Sequence, residues 1–204
     1  MNAYIEITLS WLLKNSRGHD AKSFYALPAF FSHGEQTITV TSKDCGSSPA
    51  TLGPEYITEG GGRIPALSWT APRDIEGRVR EWLVVVEDPD APLPTPICHG
   101  IYGGIPAEKR DVGPKDFETQ DESRSLLKGG FHWGKGKRDA VYITPRPLMN
   151  HGPHRYFFEV VALSEPLDKK LLESRVTKEQ VAEAIREKVL GWGMWVGTCE
   201  RRWN

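Results

Sequence analysis

Two apolar runs limit what this chain can become. Residues 80–87 (REWLVVVE) and 156–163 (YFFEVVAL) are nearly unbroken stretches of β-branched and aromatic residues. Runs this short, and too apolar to alternate, fit strands covered on both faces. The chain therefore builds a sheet with both sides buried. Each run also abuts a polar motif: DPDAP at 88–92 follows the first, and GPHRY at 152–156 opens the second. Acid, imidazole and phenol groups stand at the mouths of two central strands, and His99 lies between the motifs. Such groups, drawn from separate segments, meet only if the fold brings them together. A polar pocket is the expectation.

The remaining segments read as satellites of these strands. Residues 36–42, 66–70, 97–105 and 140–144 have strand character. Residues 3–14 predict a short helix that packs Tyr4, Ile7, Leu9, Trp11 and Leu12 on the body. Residues 43–65 and 106–128 read as loops. Thr177 to Gln180 forms a capping box, so a helix is expected over 177–190, stopped by Gly191 and Gly193 before a final strand at 194–203. Many short strands and few, brief helices point to a mainly β protein, a sandwich of antiparallel sheets with short peripheral helices. Its length suits one domain over 1–204, with an N-terminal helical extension over 1–35.

Charge and composition exclude several classes. A net charge of −1 and a pI near 6.6 leave no basic footprint for nucleic acid. Cys45, Cys98 and Cys199 are widely spaced without a CxxC pair, so reduced thiols are expected. No apolar run nears the roughly 20 residues of a membrane helix. Glu6 interrupts the N-terminal run, and no basic region frames a signal peptide. A cytoplasmic protein without an integral membrane segment follows. HExxH and GxSxG motifs are missing, so neither a metal site nor a serine hydrolase is expected, and no cofactor is implied.

Within the motifs, strand alternation puts His154 and Tyr156 on one face and Arg155 on the other. Arg155 then suits a structural ion pair with Asp90, while Pro92 stiffens the loop. Asp88 is the better pocket carboxylate. His99 and Cys98 point to opposite faces of their strand, which weakens a cysteine-nucleophile reading. Two imidazoles facing a cavity form an anion site once one is protonated, so binding should weaken as pH rises.

DPDAP and GPHRY, in this order around a central histidine, resemble the phosphatidylethanolamine-binding protein (PEBP) family over about residues 37–163. The segments at 88–102 and 191–201 resemble its fungal members. The resemblance implies a PEBP-like β-sandwich with a small, partly exposed anion pocket. Asp88, His99, His154 and Tyr156 would form its walls, with Pro147 and Arg146 at the rim. Residues 142–147 (YITPRP) resemble a proline-containing pocket wall where a glycine commonly replaces Arg146, and Ile97-Cys98 stands where many members carry Trp-His. The implied ligand is a phosphate, a phosphoethanolamine-like headgroup or a dicarboxylate, and the implied role is regulation or inhibition of a protein partner. The alternative is an accessory or catalytic role in fungal secondary metabolism, such as anhydride dimerisation to maleidrides. There His99 and His154 would be acid and base, with Arg146 orienting charge. Arg146 and the missing Trp-His favour the alternative; the lack of a visible acid–base arrangement favours a binder.

Overall fold

A computed structural model describes residues 2–203. In chain order it has α1 (Ala3–Leu12), β1 (Thr39–Thr41), β2 (Ala50–Thr51), β3 (Leu67–Thr70), α2 (Arg73–Glu76), β4 (Glu81–Asp88), β5 (Ile97–Pro106), β6 (Asp111–Val112), β7 (Thr119–Asp121), β8 (Leu126–Leu127), β9 (His132–Trp133), β10 (His154–Leu163), α3 (Lys169–Glu173), α4 (Lys178–Ala184) and β11 (Val189–Cys199). One sheet runs β1-β3-β6; the larger runs β2-β11-β10-β4-β5-β9-β8-β7.

The two apolar runs are β4 and β10, neighbours at the centre of the larger sheet, and all eight residues of β4 are buried. Alternation sends Trp82, Val84 and Val86 into one hydrophobic cluster with Tyr156, Phe158 and Val160. Val40, Leu67, Trp69 and Val112 from the smaller sheet join that cluster. Leu83, Val85, Val161 and Leu163 enter a second cluster with Phe24, Phe30, Leu172, Val181 and Ile185. Both faces of the central strands are thus dry, which is why these runs carry no polar alternation.

Several expectations need correction. The larger sheet is mixed, because β2 pairs parallel to β11 through Ala50↔Gly197 and Thr51↔Thr198. Strands so far apart in sequence are not bound by a hairpin to run antiparallel. Residues 140–144 begin in a bend at 140–141 and join no strand ladder. The loops at 43–65 and 106–128 hold the short strands β2, β6, β7 and β8. The capping box of Thr177 and Gln180 forms, but α4 ends at Ala184 and the chain enters β11 at Val189. Ladder pairing with β10 captures 189–199, overriding the helical pattern. Gly191 and Gly193 therefore lie in the strand. A Cβ on Gly193 would stand 1.8 Å from the Ile38 carbonyl, so glycine lets residues 37 and 38 press onto β11.

Helix α1 meets expectation only in part: Ile7 and Leu9 are half-buried, but the face most buried is polar. It buries Glu6 and Ser10 and exposes Tyr4, Ile5, Trp11 and Leu12. Glu6 decides this: its carboxylate accepts from Arg201 and from the Met149 amide, and Arg146 stands 3.5 Å away. Burial alone would raise the Glu6 pKa, but these donors outweigh it and hold the carboxyl below its ordinary value.

Candidate ligand-binding site

Three adjacent strands bring the site together. β4 ends on Asp88, β10 begins on His154, and β5 carries His99 on the other side of β4. Cα pairing runs Val86↔Gly100 and then Glu87↔Cys98, which makes His99 the extra residue of a β-bulge. A bulge re-aims a side chain locally. Here it turns His99 toward a cavity of about 370 Å³, within the usual range for small-ligand pockets. Cys98 packs with the opposite hydrophobic cluster, and burial pushes its thiol up to about 12.

Asp88, His99, Tyr156 and Arg146 line the cavity, joined by Thr58, Tyr142, Thr144, Lys137 and Arg138. His154 lies behind Asp88, with Nδ1 2.8 Å from Asp88 Oδ2 and Nε2 2.8 Å from His151 Nδ1. Pro147 is buried away from the lining, its carbonyl accepting from Arg201 at 2.8 Å. Asp90 accepts from Arg155 Nε at 2.8 Å, Arg155 Nη2 at 2.9 Å and the Arg155 amide at 2.9 Å. The Gly18 amide adds a donor at 3.2 Å. This clamp ties the two motifs together; Pro92 lies in the turn between β4 and β5.

Electrostatics give each wall a role. The carbonyl of Ile143 can only accept, so His99 donates to it through Nδ1. Burial lowers the His99 pKa, outweighing the pull of Asp88. Neutral His99 therefore turns a bare Nε2 inward, and that atom has no partner among the described residues. The hydroxyls of Tyr142 and Tyr156 are likewise buried and unpaired; the Arg146 amide lies near Tyr156 without closing a hydrogen bond. Burial raises both phenols well above their usual values, which keeps them as donors. The Tyr156 ring meets His99 edge-on at 5.2 Å. Arg146 is 39% exposed and shared between Glu6 at 3.5 Å and Glu59 at 3.7 Å.

A larger hollow of about 520 Å³ lies on the Cys98 side of β5, with Lys22, Lys135, Lys137 and Lys178 in its wall. Lys178 is committed to buried Glu87 at 2.6 Å. Three buried, unpaired atoms, His99 Nε2, Tyr142 Oη and Tyr156 Oη, belong instead to residues that line the His99 cavity. No group of three His, Cys, Asp or Glu among the described residues is arranged to hold a metal ion.

Sequence reasoning missed Thr58, Lys137 and Arg138 as lining and His151 as a partner of His154; Tyr142 and Thr144 entered it only within the wall segment 142–147 that the resemblance implied. The first three lie outside regular elements or in a 3₁₀ turn, where no periodicity marks the direction of a side chain. His151 had one signal, an imidazole three residues before His154.

The motif geometry and the sheet order agree with a family comparison. The family model described as phosphatidylethanolamine-binding protein matches residues 42–200. The chain belongs to the PEBP family. Among its relatives is phomoidride biosynthesis cluster protein B of Talaromyces stipitatus, 46% identical over 203 residues, spanning 98% of this chain and 82% of that protein. A protein of the same name from another fungus is 43% identical over 202 residues, spanning 98% of this chain and 96% of that one. Among solved structures, Escherichia coli YbcL aligns with a TM-score of 0.64 at 22% identity, covering 80% of this chain and 98% of its own. A PEBP homologue from Chlamydia trachomatis aligns equally well, at 0.64 and 23%, covering 82% and 99%. Both structures share the PEBP fold.

Proposed function

We propose that this PEBP-like protein binds a small oxyanion, foremost a carboxylate, in the His99 cavity, and that it serves fungal secondary-metabolite biosynthesis. The observation that carries the reading is three buried polar atoms, His99 Nε2, Tyr142 Oη and Tyr156 Oη, unpaired around one cavity. Each such atom costs about 1–3 kcal/mol when left unsatisfied. A ligand that pairs them removes that cost. The phenols and the cations Arg146, Lys137 and Arg138 offer donors; His99 Nε2 and Asp88 offer acceptors. A carboxylate or phosphate suits the donors, and a remaining acidic proton on the same ligand suits His99. A half-protonated dicarboxylate supplies both. The names of the two fungal relatives favour that choice over a lipid headgroup, and a biosynthetic role over regulation of a protein partner.

Calorimetric titration with maleate and with phosphoethanolamine tests this, on wild type and His99→Ala. Maleate binding that the substitution removes supports the reading. Binding of phosphoethanolamine alone returns the headgroup reading, and binding of neither sinks both.

A second reading, turnover of an anhydride or its diacid, is favoured by the bare His99 Nε2, the form a general base needs. Under it, His99→Ala stops turnover in a protein that stays folded; unchanged turnover rules out His99 as the base.

A further inference from the structure

We infer that His151 turns the Asp88–His154 pair into a proton store for the cavity, because the chain Asp88–His154–His151–Leu13 closes only with one proton more than an ionised Asp88 and two neutral imidazoles supply.

Hydrogen-bond counting forces this. The Leu13 carbonyl, at the C-terminal end of α1, can only accept, so His151 Nε2 donates to it at 3.0 Å. Neutral His151 then has a bare Nδ1, which accepts. His154 Nε2 faces that atom at 2.8 Å and must donate. This leaves His154 Nδ1, 2.8 Å from Asp88 Oδ2. With Asp88 ionised and His154 neutral, both of those atoms would be bare lone pairs facing each other. One added proton closes the link. Either His154 is imidazolium beside a carboxylate, or Asp88 holds the proton and donates it to neutral His154. The two forms contain the same protons and differ by one transfer along a single hydrogen bond.

The surroundings support the count. Asp88, His154 and His151 are 3%, 1% and 4% exposed, so bulk water does not substitute for a missing partner. The groups facing the pair come from every neighbouring element: Asp88 from β4, His99 from β5, Tyr156 from β10 itself and Cys199 opposite His154 on β11. Arg17, beyond α1, donates to the His151 carbonyl at 3.3 Å and stands 3.9 Å from Asp90. Burial, reinforced by His154 and Arg17, lowers the His151 pKa and keeps that ring the neutral acceptor. The stored proton therefore sits on the Asp88–His154 side.

Of the chain's three side chains, Asp88 lines the cavity. Across from it stands His99 with a bare Nε2. The cavity thus borders both a stored proton, held in the Asp88–His154 hydrogen bond, and a proton acceptor, a pairing that lets one site run acid and base chemistry near neutrality. A ligand that takes a proton from Asp88 and gives one to His99 leaves the protein's total unchanged. His151 is a positioning residue here: it sets which nitrogen of His154 carries hydrogen and touches no ligand itself. The use made of the proton rests on the ligand-binding reading above; the proton count does not.

Nitrogen-15 NMR of the imidazole rings in the full chain at neutral pH tests the count. Expected are hydrogen on Nε2 of both His151 and His154, and on Nδ1 of His99 with a bare Nε2. A His154 ring with a bare Nε2 overturns the inference. In His151→Leu the acceptor is gone, and His154 is expected to switch to the neutral form with hydrogen on Nδ1 alone, facing ionised Asp88. An unchanged His154 signal in the folded variant also overturns it. Should His151→Leu not fold, the wild-type spectrum decides. Failure of maleate to bind leaves the ring pattern untouched, so loss of the ligand reading and loss of this one are distinguishable.

Discussion

Asp88, the last residue of β4, and Asp90, in the turn after it, are 3% and 2% exposed, with contrasting partners. Asp90 is saturated by the Arg155 guanidinium and two backbone amides. Burial would raise its pKa, but the Arg155 hydrogen bonds prevail and hold it below the ordinary value. Asp88 has one amide, from Asp90 at 2.8 Å, and one imidazole, and it borders a cavity. A carboxylate saturated by a fixed cation is locked in one state and serves to hold loops together. A carboxylate paired with an imidazole beside a cavity can share a proton with it and stays open to a ligand. Residue type and burial do not separate the two; the partner does.

The largest effect should come from breaking the saturated member. Arg155→Ala strands Asp90 in a dry site and should cost about 2–3 kcal/mol in urea unfolding, discounted because Arg155 is itself half-exposed. Maleate affinity of the protein that remains folded should change little. A loss of affinity as large as the loss of stability would merge the two roles and break the comparison.

Glu81 sharpens the comparison from a third side. Its carboxylate accepts from the Gly104 and Leu167 amides at 2.9 and 3.1 Å, with no ion pair among the described residues. Burial raises its pKa to about 6 from 4.5. The folded state thus binds the proton more tightly than the unfolded chain. Its contribution is fully present below about pH 4.5 and is lost as pH rises through about 6, about 2 kcal/mol in all. Glu81→Gln should flatten that part of the stability–pH curve. An unaltered slope would mean that another group carries it.

On the cavity side, effects should appear in binding rather than stability. His99→Ala should weaken maleate by about tenfold or more, the loss of one buried hydrogen bond to a charged ligand. Smallest in stability is Tyr156→Phe. Its hydroxyl has no partner, so removal should leave unfolding unchanged or raise stability by up to about 1 kcal/mol, while maleate affinity falls. A destabilised Tyr156→Phe with full affinity would make this hydroxyl structural.

The fold was more legible than the site. Residues 80–87 and 156–163 announced the central strands because both faces are buried, and burial on two faces erases alternation in a way that composition records. The clamp between Asp90 and Arg155 was legible for a related reason: Arg155 alternates with His154 and Tyr156, so it had to point away from them. His154 shows the limit. Alternation set its face correctly but could not say that Asp88 would stand between it and the cavity. Helix α1 fails in the same way. Its apolar residues suggested a buried stripe, yet Glu6 found Arg201 and the Met149 amide, and Tyr4, Trp11 and Leu12 were left exposed while Ile7 and Leu9 stayed half-buried.

What the sequence determined by itself is local and periodic: two doubly buried strands, polar motifs at their mouths, the faces taken by 154, 155 and 156, and the cap at Thr177. Tertiary structure alone decided the bulge that aims His99, the parallel edge strand, the loops that bring Thr58, Tyr142 and Thr144 to the cavity, and the link from Leu13 through His151 to Asp88. A strand's period is set by its own backbone. Register, bulges and the partner of a buried polar group depend on chain that lies far away in sequence and arrives only when the protein folds.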